Sequence, residues 1–189
     1  MLNLNLEENK KIGLMFSGGI DSTLLLYLLC KQGIDKNCTI IPFTIPRLTG
    51  ALDYAYSIID YFDYMFEIDL QETNIVGGQN DPHEIFVGYG VADILNYDVD
   101  YIYIGSTKNP DIEIEGAPKR FKYNYHKVKQ PFFDLSKYEI VKMYYDLGIQ
   151  DLLRFTHSCS VQKIGECGEC FFCKEKNWAL TKLNHEYDK

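Results

Sequence analysis

Ser17-Gly18-Gly19-Ile20-Asp21-Ser22 lies between two apolar runs, Ile12–Phe16 and Thr23–Leu29, and constrains this chain more than any other stretch. A strand, a glycine turn and a helix in that order leave unpaired backbone N–H groups at the helix start. The helix dipole adds a partial positive charge at the same point, where a phosphate can bind. Gly18 and Gly19 let the main chain turn with unusual dihedrals and let an anion come close. Ser17, Ser22 and Thr23 add hydroxyl donors, and Asp21 can cap the helix or hold Mg²⁺. A bare carboxylate repels phosphate, so Asp21 is not expected to touch one directly. The Gly-Lys-Ser/Thr ending of a Walker loop is absent. The segment reads as a phosphate site that works without the Walker lysine. The plain alternative is a strand-to-helix turn with a serine cap. Consecutive glycines, three hydroxyls and a carboxylate argue against it.

The hexapeptide resembles the SGGxDS signature of the PP-loop (N-type) ATP pyrophosphatases, which in that family also follows the first strand. The resemblance implies ATP binding through this loop and cleavage between the α and β phosphates. It further implies adenylation of a substrate oxygen and release of pyrophosphate.

A chain of 189 residues that is 46% hydrophobic suits one α/β core with a small appendage. With 27 acidic against 19 basic residues it carries a net charge of −8, which argues against a general nucleic-acid coat. No apolar run approaches the ~20 residues that span a bilayer, and no signal-peptide pattern opens the chain. A cytoplasmic enzyme is the expectation, with a frayed polar start over Leu2–Lys11. One stretch departs from the acidic average. Lys119–Lys129 holds five of the 19 basic residues and no acid, with aromatics interleaved. It can bind a nucleotide, a phosphate or a nucleic-acid strand. It can equally be a solvated ribbon whose aromatics pack inward.

Strands and helices alternate along the chain. A helix near Thr23–Gln32 is expected to end at Gly33 as its C′ residue. Cys38–Ile45, Tyr64–Leu70 and Tyr101–Gly105 read as further strands, and Ala51–Phe62 carries apolar residues at helical spacing. Asp81, Pro82 and Glu84 announce the next helix, to about Leu95. Ser136-Lys137-Tyr138-Glu139 is a second capping box, opening a helix that closes at Gly148. Its inward face uses Ile140, Val141, Met143, Tyr144 and Leu147. This order predicts a parallel, Rossmann-like sheet with helices on both faces. Ligands then sit beyond the carboxyl ends of the strands, on a rim formed by the Ser17 loop, Thr44–Thr49 and Gly105–Asn109.

Four of the six cysteines, Cys159, Cys167, Cys170 and Cys173, fall close together near the C-terminal end. Cys-x₂-Cys turns aim both thiolates at one metal, and four thiolates complete a tetrahedral shell. Gly165 and Gly168 supply a permissive backbone. Structural Zn²⁺ is favoured, and an iron–sulfur cluster, used by some PP-loop relatives, is the competitor. A reducing cytosol disfavours disulfides. Cys30 and Cys38 read as core residues. His157 reads as structural or substrate-facing, and Lys174, Lys176 and Trp178 begin a final helix. The expected division is 1–155 for the nucleotide-binding part and 156–189 for the knuckle and helix.

The loop and the Cys-x₇-Cys-Gly-x-Cys-x₂-Cys knuckle together resemble the 7-cyano-7-deazaguanine synthase (QueC, also ExsB) family. Pro131–Val141 is similar to that family's P-x-x-D-L-x-K-x-E-I-V run. Leu147-Gly148-Ile149 and Thr156-His157-Ser158-Cys159 are similar to the approach to its first zinc cysteine, and Tyr103-Ile104-Gly105 to its strand-four glycine. The resemblance implies an adenine-nucleotide alpha hydrolase-like fold that uses ATP, Mg²⁺ and Zn²⁺. ATP is then held by Phe16, Ser17, Gly18, Gly19, Ile20, Asp21, Ser22 and Thr23, with Thr44 and Gly105 at neighbouring strand ends. Ser17, Asp21 and Ser22 serve the chemistry, with Lys108 chosen for its place on the rim. The zinc ligands are the four clustered cysteines.

The implied reaction adenylates a carboxylate on a nucleobase-like deazapurine and converts it with ammonia to an amide and then a nitrile. A homodimer is implied as well. Departures fall where the family holds its substrate. Thr44–Thr49 replaces an aromatic–Gly–Gln–Arg segment, and Gln71–Asp81 is short and lacks its arginine. Asn109–Glu113 and the basic run stand in place of a Gly-Tyr-Pro-Asp-Cys-Arg segment, and Lys176 replaces an arginine. A relative with a different acceptor, a tRNA-modifying thiolase and a non-enzymatic nucleotide-binding module are the alternatives.

Overall fold

A computed structural model of the chain describes residues 2–45, 51–63, 66, 68, 70–73 and 83–187. The first apolar run forms β1 (Lys11–Met15), and the leucine-rich run after the loop forms α1 (Ile20–Gly33). Next come β2 (Thr39–Thr44), α2 (Ala51–Asp63), β3 (Gln71–Glu72), α3 (His83–Ile94) and β4 (Tyr101–Ile104). The chain closes with β5 (Val128–Lys129), α4 (Lys137–Asp146) and α5 (Phe171–Tyr187). Among the described residues the strands form a five-stranded sheet in the order β3-β2-β1-β4-β5, parallel at every pairing. This is the expected Rossmann-like α/β fold, with β1 at the centre.

Alternate strand residues point to opposite faces and build two cores. Ile12 and Leu14 of β1 join α1, α2, α4 and α5 on one face. Ile102 and Ile104 of β4 join Phe43 and the Val91 and Ile94 side chains of α3 on the other. Leu24, Leu25, Leu26, Leu28 and Leu29 are all buried, because α1 is enclosed by the sheet and its neighbouring helices. Each such leucine contributes about 1.5–3 kcal/mol.

Several boundaries differ from the sequence reading. The start of the chain is packed: Leu4 and Leu6 are buried, and Gln32 bonds both Leu4 N–H and Leu2 C=O. Leu2, Leu4 and Leu6 alternate with polar residues, but the alternation is too short to tell a packed segment from a frayed one. Gly33 does not end its helix in the left-handed region. The chain runs on through a 3-10 turn at Ile34–Lys36, and Asn37 takes φ +51°. Asparagine tolerates that conformation, so no glycine was required. The strand expected over Tyr64–Leu70 lies largely outside the described residues, and the described pairing begins at Gln71. Asp81 and Pro82 also lie outside them. β5 was unforeseen, since two residues inside a basic run carry no alternation. The final helix begins at Phe171, inside the cysteine cluster, before Lys174.

The capping box at α4 is complete. Ser136 Oγ accepts from Glu139 N–H, and Ser136 N–H donates to Glu139 Oε2 at 2.7 Å. Ile140, Val141 and Tyr144 are buried, with Met143 and Leu147 packed beside them. The N–H of Ser136 holds the Glu139 carboxyl below its ordinary value of 4.5. A depressed carboxyl stabilises the fold above its unfolded value and loses that contribution as pH falls through the folded one. Ser136→Ala is therefore expected to cost about 1 kcal/mol in urea unfolding near neutral pH. The gap between parent and Glu139→Gln should narrow as the same measurement is taken to about pH 3.

Candidate functional site

The carboxyl ends of β1, β2 and β4 meet at one rim, and the Ser17 loop lies at its centre. Phe16 N–H donates to Phe43 C=O at 2.8 Å, which carries the β1–β2 pairing up to the loop. Gly18 takes φ +68°, and a Cβ there would lie 2.9 Å from Ala55 N. Both conformation and space demand glycine. Gly19 is the N-cap of α1 in an extended conformation, and no side chain caps the helix. The first-turn N–H groups of α1 are left for an anion. The hydroxyls brace the loop: Ser17 Oγ and Ser22 Oγ lie 3.2 Å apart, and Ser22 Oγ donates to Gly19 C=O.

A cavity of about 190 Å³ opens at this point. Phe16, Ser17, Gly19, Ile20, Asp21, Ser22, Thr44 and Gly105 line it. Gly18 and Thr23, also expected at the nucleotide, do not line it, and Thr23 is fully buried. Lys108 stands away from the cavity wall. Its backbone N–H bonds Leu135 C=O, and its charge acts on Glu139. Gly105 permits the close approach of β4 to α1, since a Cβ there would meet Asp21 and Ser22 backbone atoms at 2.9–3.0 Å.

Asp21 does not cap its helix, because Gly19 occupies the cap position. Asp21 Oδ2 instead accepts from Lys137 Nζ at 2.5 Å, while Asp21 Oδ1 is buried without a hydrogen bond. Lys137 follows the Ser136 cap, so the capping box aims it back at the rim. A chain of buried charge continues from there. Lys137 Nζ lies 3.7 Å from Glu175 Oε2, and Glu175 Oε1 lies 3.6 Å from Arg120 Nη2. Glu175, on α5, is wholly buried, and burial raises its carboxyl above the ordinary value against the pull of Lys137. Arg120 and Lys137 both line the cavity. Sequence reading saw Arg120 only as part of a basic run and passed over Glu175. The signal available for Lys137 was the capping box, because a helix start after a parallel strand falls on the ligand rim.

The knuckle grips the loop. His157 N–H donates to Gly18 C=O at 3.0 Å, and the His157 ring stacks on Tyr54 at 4.2 Å between centroids. Gly165 closes the unit. Its C=O lies 2.9 Å from His157 Nε2, and its N–H donates to Tyr54 Oη. His157 also lines the cavity. The sulfur atoms of Cys159, Cys167, Cys170 and Cys173 all lie within 4.8 Å of one another and could hold a metal ion. Gln162 N–H donates to Cys159 Sγ, and Cys170 N–H to Cys167 Sγ. Burial opposes ionisation of Cys170, yet donation from Ser160 and Cys173 lowers its thiol to about 6. Such donors favour the Cys170 thiolate, the form that binds metal, while burial raises the Cys173 thiol.

The family described as "Queuosine biosynthesis protein QueC" matches residues 74–184. The chain belongs to the QueC family. It is 23% identical over 217 residues to a 7-cyano-7-deazaguanine synthase of Sulfurihydrogenibium sp. (strain YO3AOP1), covering 93% of this chain and 96% of that protein. The solved structure of U34-tRNA thiolase NcsA from Methanococcus maripaludis with its [4Fe-4S] cluster aligns at a TM-score of 0.51 and 16% identity. That alignment covers 97% of this QueC-family chain and 68% of the thiolase, and it shows the shared fold. NMN synthetase from Francisella tularensis aligns at 0.48 and 11% identity, over 94% and 86%. No helix among the described residues is long and apolar enough to cross a membrane.

The basic run of this QueC-family chain divides. Phe121 and Tyr125 are exposed, Val128 is buried, and Arg120 turns into the cavity. Gln130 ties the stretch to the rim by donating to Ser106 Oγ and Phe121 C=O. Gly105→Ala is expected to cost about 1–3 kcal/mol in urea unfolding, because the new methyl displaces the start of α1. Gly19→Ala, whose Cβ would meet nothing nearer than Ser17 Oγ at 3.3 Å, should cost less.

Proposed function

We propose that the chain is an ATP-dependent carbon–nitrogen ligase of the 7-cyano-7-deazaguanine synthase type. In this reading a 7-deazaguanine-like acid is adenylated and then converted with ammonia. The carboxylate oxygen attacks the α-phosphorus, the bond to the β-phosphate bridging oxygen breaks, and pyrophosphate leaves. Ammonia then displaces AMP to give the amide. A second ATP adenylates the amide oxygen with loss of pyrophosphate, and departure of AMP together with the two protons on nitrogen leaves the nitrile. Residues 1–155 serve the nucleotide, and 156–189 brace the site through the knuckle.

One observation carries the reading beyond the family level: the uncapped first turn of α1 and the buried Lys137 open into a single cavity. The N–H groups of that turn bind the departing phosphates, and Lys137 opposes the charge that builds on the α-phosphate. Ser17 and Ser22 hold the loop in shape, so no reorganisation is needed during the reaction. The orphaned Oδ1 of Asp21 fits a cation ligand. Mg²⁺ bound there would neutralise phosphate charge and draw Asp21 away from Lys137. Lys108, outside the cavity wall, acts through Glu139 and the start of α4.

Zn²⁺ would be held by Cys159, Cys167, Cys170 and Cys173. Four thiolates around one zinc put sulfurs about 3.8 Å apart, and Cys167 Sγ lies 4.0 Å from Cys173 Sγ. A multi-iron cluster, whose cysteines bind separate irons, needs a wider set. Bound zinc would supply structural constraint.

The deciding experiment incubates the protein with ATP, Mg²⁺, ammonium and 7-carboxy-7-deazaguanine and follows AMP and nitrile by mass spectrometry. AMP with nitrile is expected. AMP formed only with another acceptor would discard the deazaguanine substrate and keep the adenylation. No AMP with any acid would discard both. The double variant Ser17→Ala, Asp21→Ala should abolish turnover and leave the knuckle metal bound. Metal analysis of anaerobically purified protein should find zinc. Its removal by a chelator should lower the melting temperature by about 10 °C or more.

A further inference from the structure

The cavity has two unlike ends on either side of the Ser17 loop. Toward β2 its wall is Thr44, Ile45 and Val87, apolar but for one hydroxyl. Toward β4 its wall holds Gly105, Ser106, Arg120 and Phe172. The second end contains a cation held in advance. Arg120 Nε donates to Asn109 Oδ1 at 2.9 Å, and Asn109 in turn bonds Pro118 C=O. The guanidinium lies 5.9 Å from both the Phe171 and Phe172 rings, which meet edge to face. Its side chain is only 12% exposed.

Arg120 is charge-paired but poorly bonded. Its Nη2 makes no hydrogen bond, and neither does either oxygen of the wholly buried Glu175 at 3.6 Å. A buried ion pair without hydrogen bonds is costly, and a ligand that supplies them is favoured. A carboxylate would give the guanidinium on the cavity wall an acceptor, and Phe172, on the same wall, suits a planar ring. A second buried cation, Lys137, lies on the other side of Glu175 beside the phosphate loop. The two cations are therefore divided between two anionic groups.

We propose that Arg120 with Phe172 is the acceptor end of the cavity and recognises a planar aromatic acid by its carboxylate, with Glu175 positioning Arg120. The proposal rests on reading the cavity as a carboxylate-activating site. Glu175 holds the guanidinium at Nη2 by charge alone and Asn109 holds it at Nε, so that Arg120 is fixed on the cavity wall.

The test is calorimetric titration of the full chain, holding its metal, with 7-carboxy-7-deazaguanine and with neutral 7-deazaguanine. An ATP analogue with a methylene bridge between the α and β phosphates is titrated in parallel. The parent should prefer the acid by about tenfold or more, the worth of a charge-assisted bond. Arg120→Ala should erase that preference while the affinity for the analogue stays within about twofold. Arg120→Lys, which keeps the charge and loses the Nε bond to Asn109, should retain only part of it. Glu175→Gln should weaken acid binding, yet add nothing further in the Arg120→Ala background, because its effect runs through that residue.

A preference that survives Arg120→Ala overturns the proposal, as does an equal loss of the ATP analogue, which would make Arg120 a phosphate contact. If the parent binds neither deazaguanine, nicotinate and indole-3-carboxylate are compared with their amides. An acid preference there that depends on Arg120 sustains the site and discards the deazaguanine reading. No acid preference in the parent discards the site.

Discussion

The contact between Lys137 Nζ and Asp21 Oδ2, at 2.5 Å, joins the starts of two helices whose N-termini face one cavity. α1 begins at the phosphate loop without a side-chain cap, and α4 begins at a full capping box. An uncapped helix start is available to an anion only while it is held in place. Tyr144 supplies a second hold, with its buried hydroxyl donating to Ile20 C=O at 2.7 Å. Burial raises that phenol well above its usual value, so it remains a donor. The loop is stiff because α4 is fixed, and α4 is fixed by its own cap and by packing.

From that joint, charge extends through Glu175 to Arg120, and the cysteine knuckle comes into reach of the site. Glu175 lies two residues after Cys173 on α5, and Ala179 and Leu183 of the same helix are buried in the larger core. His157, two residues before Cys159, bonds the loop at Gly18 and stacks on Tyr54. The knuckle thus touches the site from both of its ends. Metal held by the four thiolates would brace the rim through these two contacts, and Cys159 itself lines the same cavity as the Ser17 loop.

Features with a local cause were readable in the chain. The strand–glycine–helix order, the Ser136–Glu139 cap and the cysteine spacing depend on neighbours within a few residues, and each stands where expected. β5 escaped because Val128 and Lys129 form a strand only by pairing with Ile102 and Tyr103. The buried leucines at positions 4 and 6 escaped because only tertiary packing encloses them. Within the site, Phe16, Ser17, Gly19, Asp21 and Ser22 were readable from one motif. Arg120 and Glu175 were not, because a cation in a basic run and an acid on a polar helix look solvated until the fold removes the water.

Local residue order is enough to specify a parallel α/β chain with a glycine-rich loop after its first strand and a cluster of four cysteines far along the chain. Both rest on short-range spacing and on the period of apolar residues. Only the tertiary structure decided which charges face one another. Asp21 and Lys137 are 116 positions apart, and Glu175 reaches Arg120 across 55 more. Such partners are chosen by the path of the chain and by the cost of leaving a buried charge unpaired, and neither leaves a mark on local composition.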